Sequence, residues 1–328
     1  MLVTGPNGAG KTNLLESLHV GTQGFSPRTR SDAQLLRFGE DAGRIALTGS
    51  RGESPLALEL TLQTGEGKRA KLNGARLRAA EQLRHEVATL VFTPDRLAIV
   101  KGGPAVRRAY FDRALGRFAP ARATLSVEYA AAVAQRNAAL RRVAGGFSTR
   151  AALEPWTTQV VEFGRTLVEA RVELLAALAP QFADRADTLG LPAARLLYEG
   201  EPPARESVES LIERDLERGT TGVGPHLDDV RILSGTRDLR VFGSQGEQRL
   251  TVLALLLAEA GLLTDRRGYP PLLLLDDVLS ELDPARRRVL AESVAAGGQT
   301  LITSTTAAAL PAEPAQLLEV APGEVRAA

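Results

Sequence analysis

The feature that most constrains this chain is Gly5-Pro6-Asn7-Gly8-Ala9-Gly10-Lys11-Thr12, which fits a phosphate-cradling loop residue for residue and stands almost at its start. Glycines at these places let successive backbone N–H groups turn inward on the α- and β-phosphates of a nucleotide. Lys11 is then spaced to reach the β/γ oxygens and Thr12 to ligate Mg²⁺. Residues Thr12 to Val20 read as the helix whose positive end faces those phosphates. The expected ligands are therefore a nucleoside triphosphate and Mg²⁺, held by Gly5 through Asn13.

Composition limits what else the chain can do. With no cysteine it has no disulfide, thiolate metal site or thiol nucleophile, and its three histidines, His19, His85 and His226, are scattered. No run is long and apolar enough for a membrane span, and the start lacks a signal pattern, so the expectation is a cytoplasmic protein with no membrane partner. A net charge of +1 argues against a uniformly basic nucleic-acid binder, so any such affinity must come from local patches. The basic residues are nearly all arginine, lysine occurring only at 11, 68, 71 and 101. Abundant Ala, Gly and Pro point to genome composition as the main cause of that bias.

The pattern along the chain reads as an α/β fold split by a helical insertion. Residues 43–75 alternate as in Leu56-Ala57-Leu58-Glu59-Leu60-Thr61-Leu62, with Asn73-Gly74 as a hairpin signal, which predicts an antiparallel sheet. Leu90-Val91-Phe92 reads as a short buried strand. From about residue 104 the character is helical, and Trp156, Val160, Phe163, Leu167, Ala170, Leu174 and Ala177 form one apolar stripe. Together with the segment around Leu125, Tyr129, Val133, Leu140 and Val143 it implies a short helical hairpin, either packed within a lobe or projecting as an arm. After residue 222 strands are expected at Val230-Arg231-Ile232 and Asp238 to Phe242. A helix at 247–263, a strand at 272–275, a helix at 284–295 and a strand at 300–303 follow, an alternation that reads as a parallel sheet. The expected division is 1–103, first part of an ATPase lobe; 104–221, helical lobe; and 222–328, the remainder of the ATPase lobe.

Leu272-Leu273-Leu274-Leu275-Asp276-Asp277 is what a central parallel strand needs if its tip must hold acids beside phosphates. Asp276 would support the metal and Asp277 would orient or deprotonate the attacking water. Upstream, Ser244-Gln245-Gly246-Glu247-Gln248-Arg249 opens an apolar helix. Its Ser244 to Glu247 spacing is a capping box, and the same serine hydroxyl, glycine amide and helix dipole make a γ-phosphate sensor, with Gln248 beside them. Ser280-Glu281-Leu282-Asp283-Pro284 places an acid cap before a proline-started helix.

Phosphate loop, serine-glycine signature, two-acid strand and Ser-Glu-Leu-Asp, in that order, resemble the ABC-type ATPases. In that superfamily the signature of one subunit completes the ATP site of another, so the resemblance implies an ATP-dependent homodimer. Asp277 stands where transporters carry glutamate, and Ser304 or Thr305 where they carry histidine, which implies slow turnover. Over nearly its whole length the chain further resembles the RecF family, related to SMC heads. The resemblance rests on Gly5 to Glu16, Phe92-Thr93-Pro94-Asp95, Lys101 to Asp112, Gln135 to Leu140, Gly224-Pro225-His226, Ser244 to Arg249 and Leu274 to Asp283. It implies a DNA-repair ATPase that binds double-stranded DNA and ss/dsDNA junctions and acts with RecR and RecO to help load RecA.

Two departures qualify the likeness: Leu227 stands where the family usually has a basic residue, and only Met1 to Thr4 precede the loop where family members carry paired leading strands. A truncated or misassigned start would explain the second, and so would a divergent protein with lost adenine contacts. If the chain is complete, weaker ATP binding is expected. For DNA, Lys101, Arg107, Arg108 and Arg113 form one cationic cluster and Arg136, Arg141 and Arg142 another; phosphate contacts and a merely solvated face remain alternative readings. The competing functions are the ATP-binding subunit of a membrane transporter and a non-hydrolysing, SMC-like structural head.

Overall fold

The computed structural model describes residues 1–29, 31–295 and 297–327; the side chains of His85 and Glu281, the latter part of the Ser-Glu-Leu-Asp element, also lie outside the described residues. The strands in chain order are β1 (Leu2–Thr4), β2 (Ala42–Arg51), β3 (Ser54–Gln63), β4 (Gly67–Leu72), β5 (Ala75–Arg76), β6 (Thr89–Phe92), β7 (Ala194–Glu199), β8 (Asp229–Ser234), β9 (Arg237–Asp238), β10 (Leu272–Leu275), β11 (Thr300–Ser304), β12 (Leu317–Ala321) and β13 (Glu324–Ala327). They divide between two compact units, one of residues 1–96, 188–190 and 252–328, the other of residues 97–187 and 191–251.

The first unit holds two sheets on one helix. Among the described residues its main sheet has the order β13-β12-β1-β11-β10-β6, parallel except for the β12–β13 pair. The aliphatic run Leu272 to Leu275 becomes a central strand because both of its edges are paired, by Thr89 to Phe92 on one side and by Thr300 to Ile302 on the other. Val3, Leu15, Val91, Leu274, Leu301 and Val320 close the core beneath it. The second sheet, β2-β3-β4-β5, is antiparallel as its alternation predicts, and Asn73 and Gly74, both at positive φ, make the β4–β5 turn.

Leu58, Leu60 and Leu62 of β3 pack with Val20 of the helix Lys11–Gln23, each burial worth about 1.5–3 kcal/mol. Approach is so close that a Cβ on Gly21 would lie 2.8 Å from Ile45 and Leu47 side-chain carbons. The phosphate-loop helix is thus clamped by apolar contacts through Leu15 on one side and Val20 on the other.

The second unit carries the helices Pro104–Phe118, Leu125–Ala144 and Glu154–Thr188. Val160, Leu167, Ala170 and Leu174 of the apolar stripe are buried, so the stripe is spent on packing inside the lobe. Two expectations are corrected here. Val230 to Ile232 joins an antiparallel sheet, β7-β8-β9, and not the parallel one. Residues Leu239–Phe242 are a helical turn, because the Asp238 carboxylate accepts the Arg240 N–H at 2.9 Å and caps it. The expected boundaries move with them: residues 222–251, signature included, belong to the second unit, which begins at 97, and the division falls inside the helix Gln245–Arg267.

Candidate nucleotide site

The phosphate loop takes its shape from glycines in conformations that L side chains rarely adopt. Gly5 has φ 154°, and a Cβ there would sit 2.4 Å from the Val320 carbonyl oxygen of β12. Gly8 and Gly10 are also at positive φ, while Ala9 turns its methyl into the core. Pro6, Asn7 and Gly8 are exposed at the tip of the loop. Gly10 caps the helix Lys11–Gln23 without any side-chain hydrogen bond, leaving the first-turn N–H groups to an anion. Lys11 Nζ donates to the carbonyls of Gly5 at 2.7 Å and Pro6 at 3.0 Å, which holds the ammonium across the loop. Asn13 is exposed on the same first turn.

At the tip of β10 the two acids take different postures. The Thr12 hydroxyl donates to Asp276 Oδ2 at 2.9 Å, joining loop and acid strand across 264 residues of sequence. Asp276 is buried and accepts a second hydroxyl, that of Thr303, at 2.8 Å on Oδ1. The same Thr303 oxygen accepts the Asp277 N–H at 2.8 Å. Asp277 itself has φ 50°, a left-handed conformation that a non-glycine residue holds only when its surroundings enforce it. Thr303 thus fixes both acids at once. It was invisible as a functional residue in the sequence, where attention falls on Ser304 and Thr305; the available signal is its place at the end of the strand neighbouring the two-acid strand.

One hydroxyl and one carboxylate are too few to cage a metal, and no cluster of three or more His, Asp or Glu gathers anywhere among the described residues. That donor set fits Mg²⁺, a hard cation that keeps several waters and takes one or two protein oxygens plus phosphates.

In the second unit the signature opens the helix Gln245–Arg267 with the capping box its spacing predicts. Ser244 N donates to Glu247 Oε2 at 2.8 Å and Glu247 N to Ser244 Oγ at 3.2 Å. Arg237, 2.8 Å from Glu247, together with the Ser244 amide holds that carboxyl below its ordinary range. Ser244 and Gly246 are exposed, and a Cβ on Gly246 would meet nothing nearer than Ser244 Oγ at 3.9 Å. Gln248 differs from expectation: its amide is buried and donates to the Leu239 carbonyl at 3.0 Å, so its side chain braces the turn before the signature.

The cationic candidates separate by burial. Lys101, Arg141 and Arg142 are exposed, Arg141 donating to the Gly219 carbonyl at 3.2 Å. Arg108 is half-buried and donates to the Asp228 carbonyl at 2.6 Å. Arg107 and Arg136 correct the expectation of a DNA contact, because each guanidinium is buried and paired with a carboxylate inside the lobe. Arg107 makes a two-pronged bond to Asp229, at 2.7 and 2.6 Å, and Arg136, with no exposed surface, pairs with Asp215 at 2.7 Å and Thr221 at 2.9 Å. The Gly224-Pro225-His226 turn is likewise internally bonded: His226 Nε2 donates to the Thr221 carbonyl at 3.0 Å, its Nδ1 accepts the Tyr129 hydroxyl at 2.7 Å, and Arg171 holds the Pro225 carbonyl at 2.8 Å.

Comparison with known proteins agrees with this geometry. The family described as RecF/RecN/SMC N terminal domain matches residues 1–324. The chain is 36% identical to the DNA replication and repair protein RecF of Heliobacterium modesticaldum over 93% of its own length and 86% of the relative's, and 35% identical to that of Bacillus mycoides over 93% and 85%. Among solved structures, the recombination mediator protein RecF-ATP in the RecFOR pathway superimposes with a TM-score of 0.88 at 26% identity, covering all of this chain and 91% of the other. The Smc head domain of Pyrococcus furiosus shares the fold, with a TM-score of 0.57 at 16% identity, over all of this chain and 89% of the other. A phosphate loop tied by Thr12 to a two-acid strand, a signature serine on its own exposed turn, and relatives of this identity over nearly the full length together place the chain in the RecF family of ABC-type ATPases.

Proposed function

We propose that the chain is an ATP-gated DNA clamp: two copies close on two ATP molecules, grip double-stranded DNA or an ss/dsDNA junction, and help load RecA together with RecO and RecR. Slow hydrolysis then acts as the release switch. The observation that carries this reading is a nucleotide constellation in one unit together with, in the other, a signature turn that opens a helix and leaves Ser244 and Gly246 exposed. The ATP named for the structural relative and the repair role named for the sequence relatives support it.

In this reading the backbone from Gly5 to Gly10 cradles phosphate, Lys11 reaches the outer phosphates, and Thr12 with Asp276 holds Mg²⁺. The metal, when bound, neutralises charge on the phosphate oxygens. Asp277, held rigidly by Thr303, orients the attacking water, and the signature serine and glycine amide meet the γ-phosphate of the opposite copy. The transporter alternative falls with the family assignment, and among the described residues no helix is long and apolar enough to cross a membrane.

Light scattering with ATP, ADP and no nucleotide, each with Mg²⁺, tests the reading. A doubling of mass with ATP alone, accompanied by binding of a fluorescent duplex, is the expected result. A chain that stays monomeric at saturating ATP refutes it.

A further inference from the structure

Strand parity concentrates positive charge on one face of the antiparallel sheet. The buried face of that sheet, with Leu58, Leu60, Leu62 and Ala70, packs toward the phosphate-loop helix. The opposite face carries the residues of the other parity. The register sets Glu59 beside Ala46 and Lys71, Thr61 beside Arg44 and Arg69, and Lys71 beside Arg76. The ladder runs on through Leu77 N, which donates to the Ala70 carbonyl at 2.9 Å and brings Arg78 alongside Arg69. Arg44, Arg69, Lys71, Arg76 and Arg78 are all exposed, with Glu59 the one carboxylate among the outward-facing residues of these strands. This is a local array in a chain whose net charge is only +1.

The ion pairing on this face is incomplete. Glu59 is shared between Arg44 at 2.8 Å and Lys71 at 3.2 Å, and those two cations hold its carboxyl below the ordinary range. Glu66, in the turn before β4, takes Arg69. Arg76 and Arg78 have no carboxylate partner among the described residues, and both line an open recess of about 370 Å³ with Lys68 and Arg69.

Like charges placed directly across a ladder oppose the pairing of the strands. Cations on an edge strand guard against sheet-to-sheet aggregation, but Lys71 lies where β4 is paired on both sides, by Glu59 and by Arg76, and no such guard is needed. Rows about 4.8 Å apart between strands and about 6.7 Å apart along them present a grid of guanidinium and ammonium groups suited to a polyanion with closely spaced phosphates.

We propose that the outer face of this sheet, centred on Arg69, Lys71, Arg76 and Arg78, is a binding surface for the phosphodiester backbone of duplex DNA. The proposal rests on the DNA-clamp reading and deepens it: the contact lies on the far side of the sheet that clamps the phosphate-loop helix, not on Arg107 and Arg136. Backbone contact of this kind is independent of base sequence and steeply salt-dependent.

The test is duplex binding by the full chain with ATP and Mg²⁺, followed by fluorescence anisotropy between about 50 and 200 mM salt. Arg76→Gln/Arg78→Gln is expected to weaken binding at least tenfold and to flatten the salt slope by about 1.8, two contacts at about 0.9 each. Arg76→Lys/Arg78→Lys should keep most of the slope. Arg214→Gln/Arg218→Gln, which removes two exposed charges elsewhere, should change neither slope nor basal phosphate release. A glutamine pair that binds duplex with the wild-type affinity and slope overturns this assignment and leaves the clamp reading standing. Wild-type chain that binds no duplex overturns both. Capture on phosphatidylserine vesicles that the glutamine pair abolishes, with duplex binding intact, also overturns it.

Discussion

Replacing Thr303 by valine removes one hydroxyl and leaves the shape of the side chain nearly unchanged, so it isolates what that oxygen does. Two hydrogen bonds go with it. Donation to the Asp276 carboxylate, at 2.8 Å and fully buried, belongs to the class worth about 1.5–3 kcal/mol. The Asp277 N–H, now without its acceptor, costs about 1–3 kcal/mol more, and the added methyl returns about 0.8 kcal/mol. The central expectation is a loss of about 3 kcal/mol, or a midpoint lowered by about 6–12 °C for a unit of this size. Turnover should suffer separately, because Asp277 at φ 50° keeps its aim only while that N–H is pinned. A tenfold fall in kcat, equivalent to about 1.4 kcal/mol, is the least expected. Thr303→Ser retains both bonds and should recover most of both quantities. Urea melts and phosphate-release assays on the three proteins check this, and a valine variant that melts and turns over like wild type refutes the reasoning.

Lys11→Ala should cut phosphate release by roughly a hundredfold or more, since it deletes the only flexible cation on the loop; a phosphate-release assay at saturating ATP measures it. Arg136→Met leaves Asp215 buried with the Gly222 N–H, at 2.9 Å, still donating to its carboxylate and should cost about 3–5 kcal/mol in a urea titration, trimmed somewhat because Arg136 Nη2 already lacks a partner. Arg150→Ala, which breaks the fully solvated pair with Glu213, should leave the midpoint of the same titration indistinguishable from wild type. Burial holds His226 below its ordinary value near 6.5, so the unfolded chain takes up a proton that the folded one refuses once pH falls below that value. The melting midpoint should therefore decline from pH 7.5 toward pH 5.5, and His226→Gln should lose that part of the slope. Asp228, pushed up by burial, works in the opposite sense at more acidic pH, and the variant leaves it in place.

What the sequence disclosed and what it withheld divide along contact range. Phosphate loop, two-acid strand, β3 alternation and the Asn73-Gly74 turn were legible because each is encoded within a few neighbouring residues. β7 was not: Ala194 to Glu199 lies in a stretch of helical composition and becomes a strand only by pairing with β8, over thirty residues on. Arg107 and Arg136 were misjudged for the same reason. An arginine on a helix reads as solvated until the fold brings up its carboxylate, and Asp229 and Asp215 come from far along the chain. Gln248, which braces the Leu239 turn, was misread and Thr303 was missed because hydrogen-bond partners, unlike spacing, are not written locally.

Gly246 leads to a final consequence for genetics. Alanine at that place would find open room and, near the start of a helix, would gain in helix propensity by up to about 1 kcal/mol over glycine. A screen for thermal resilience in the lone molecule would therefore welcome the change. Its harm would surface only when another surface presses against the turn, which makes this methyl-sized substitution a means of uncoupling folding from assembly.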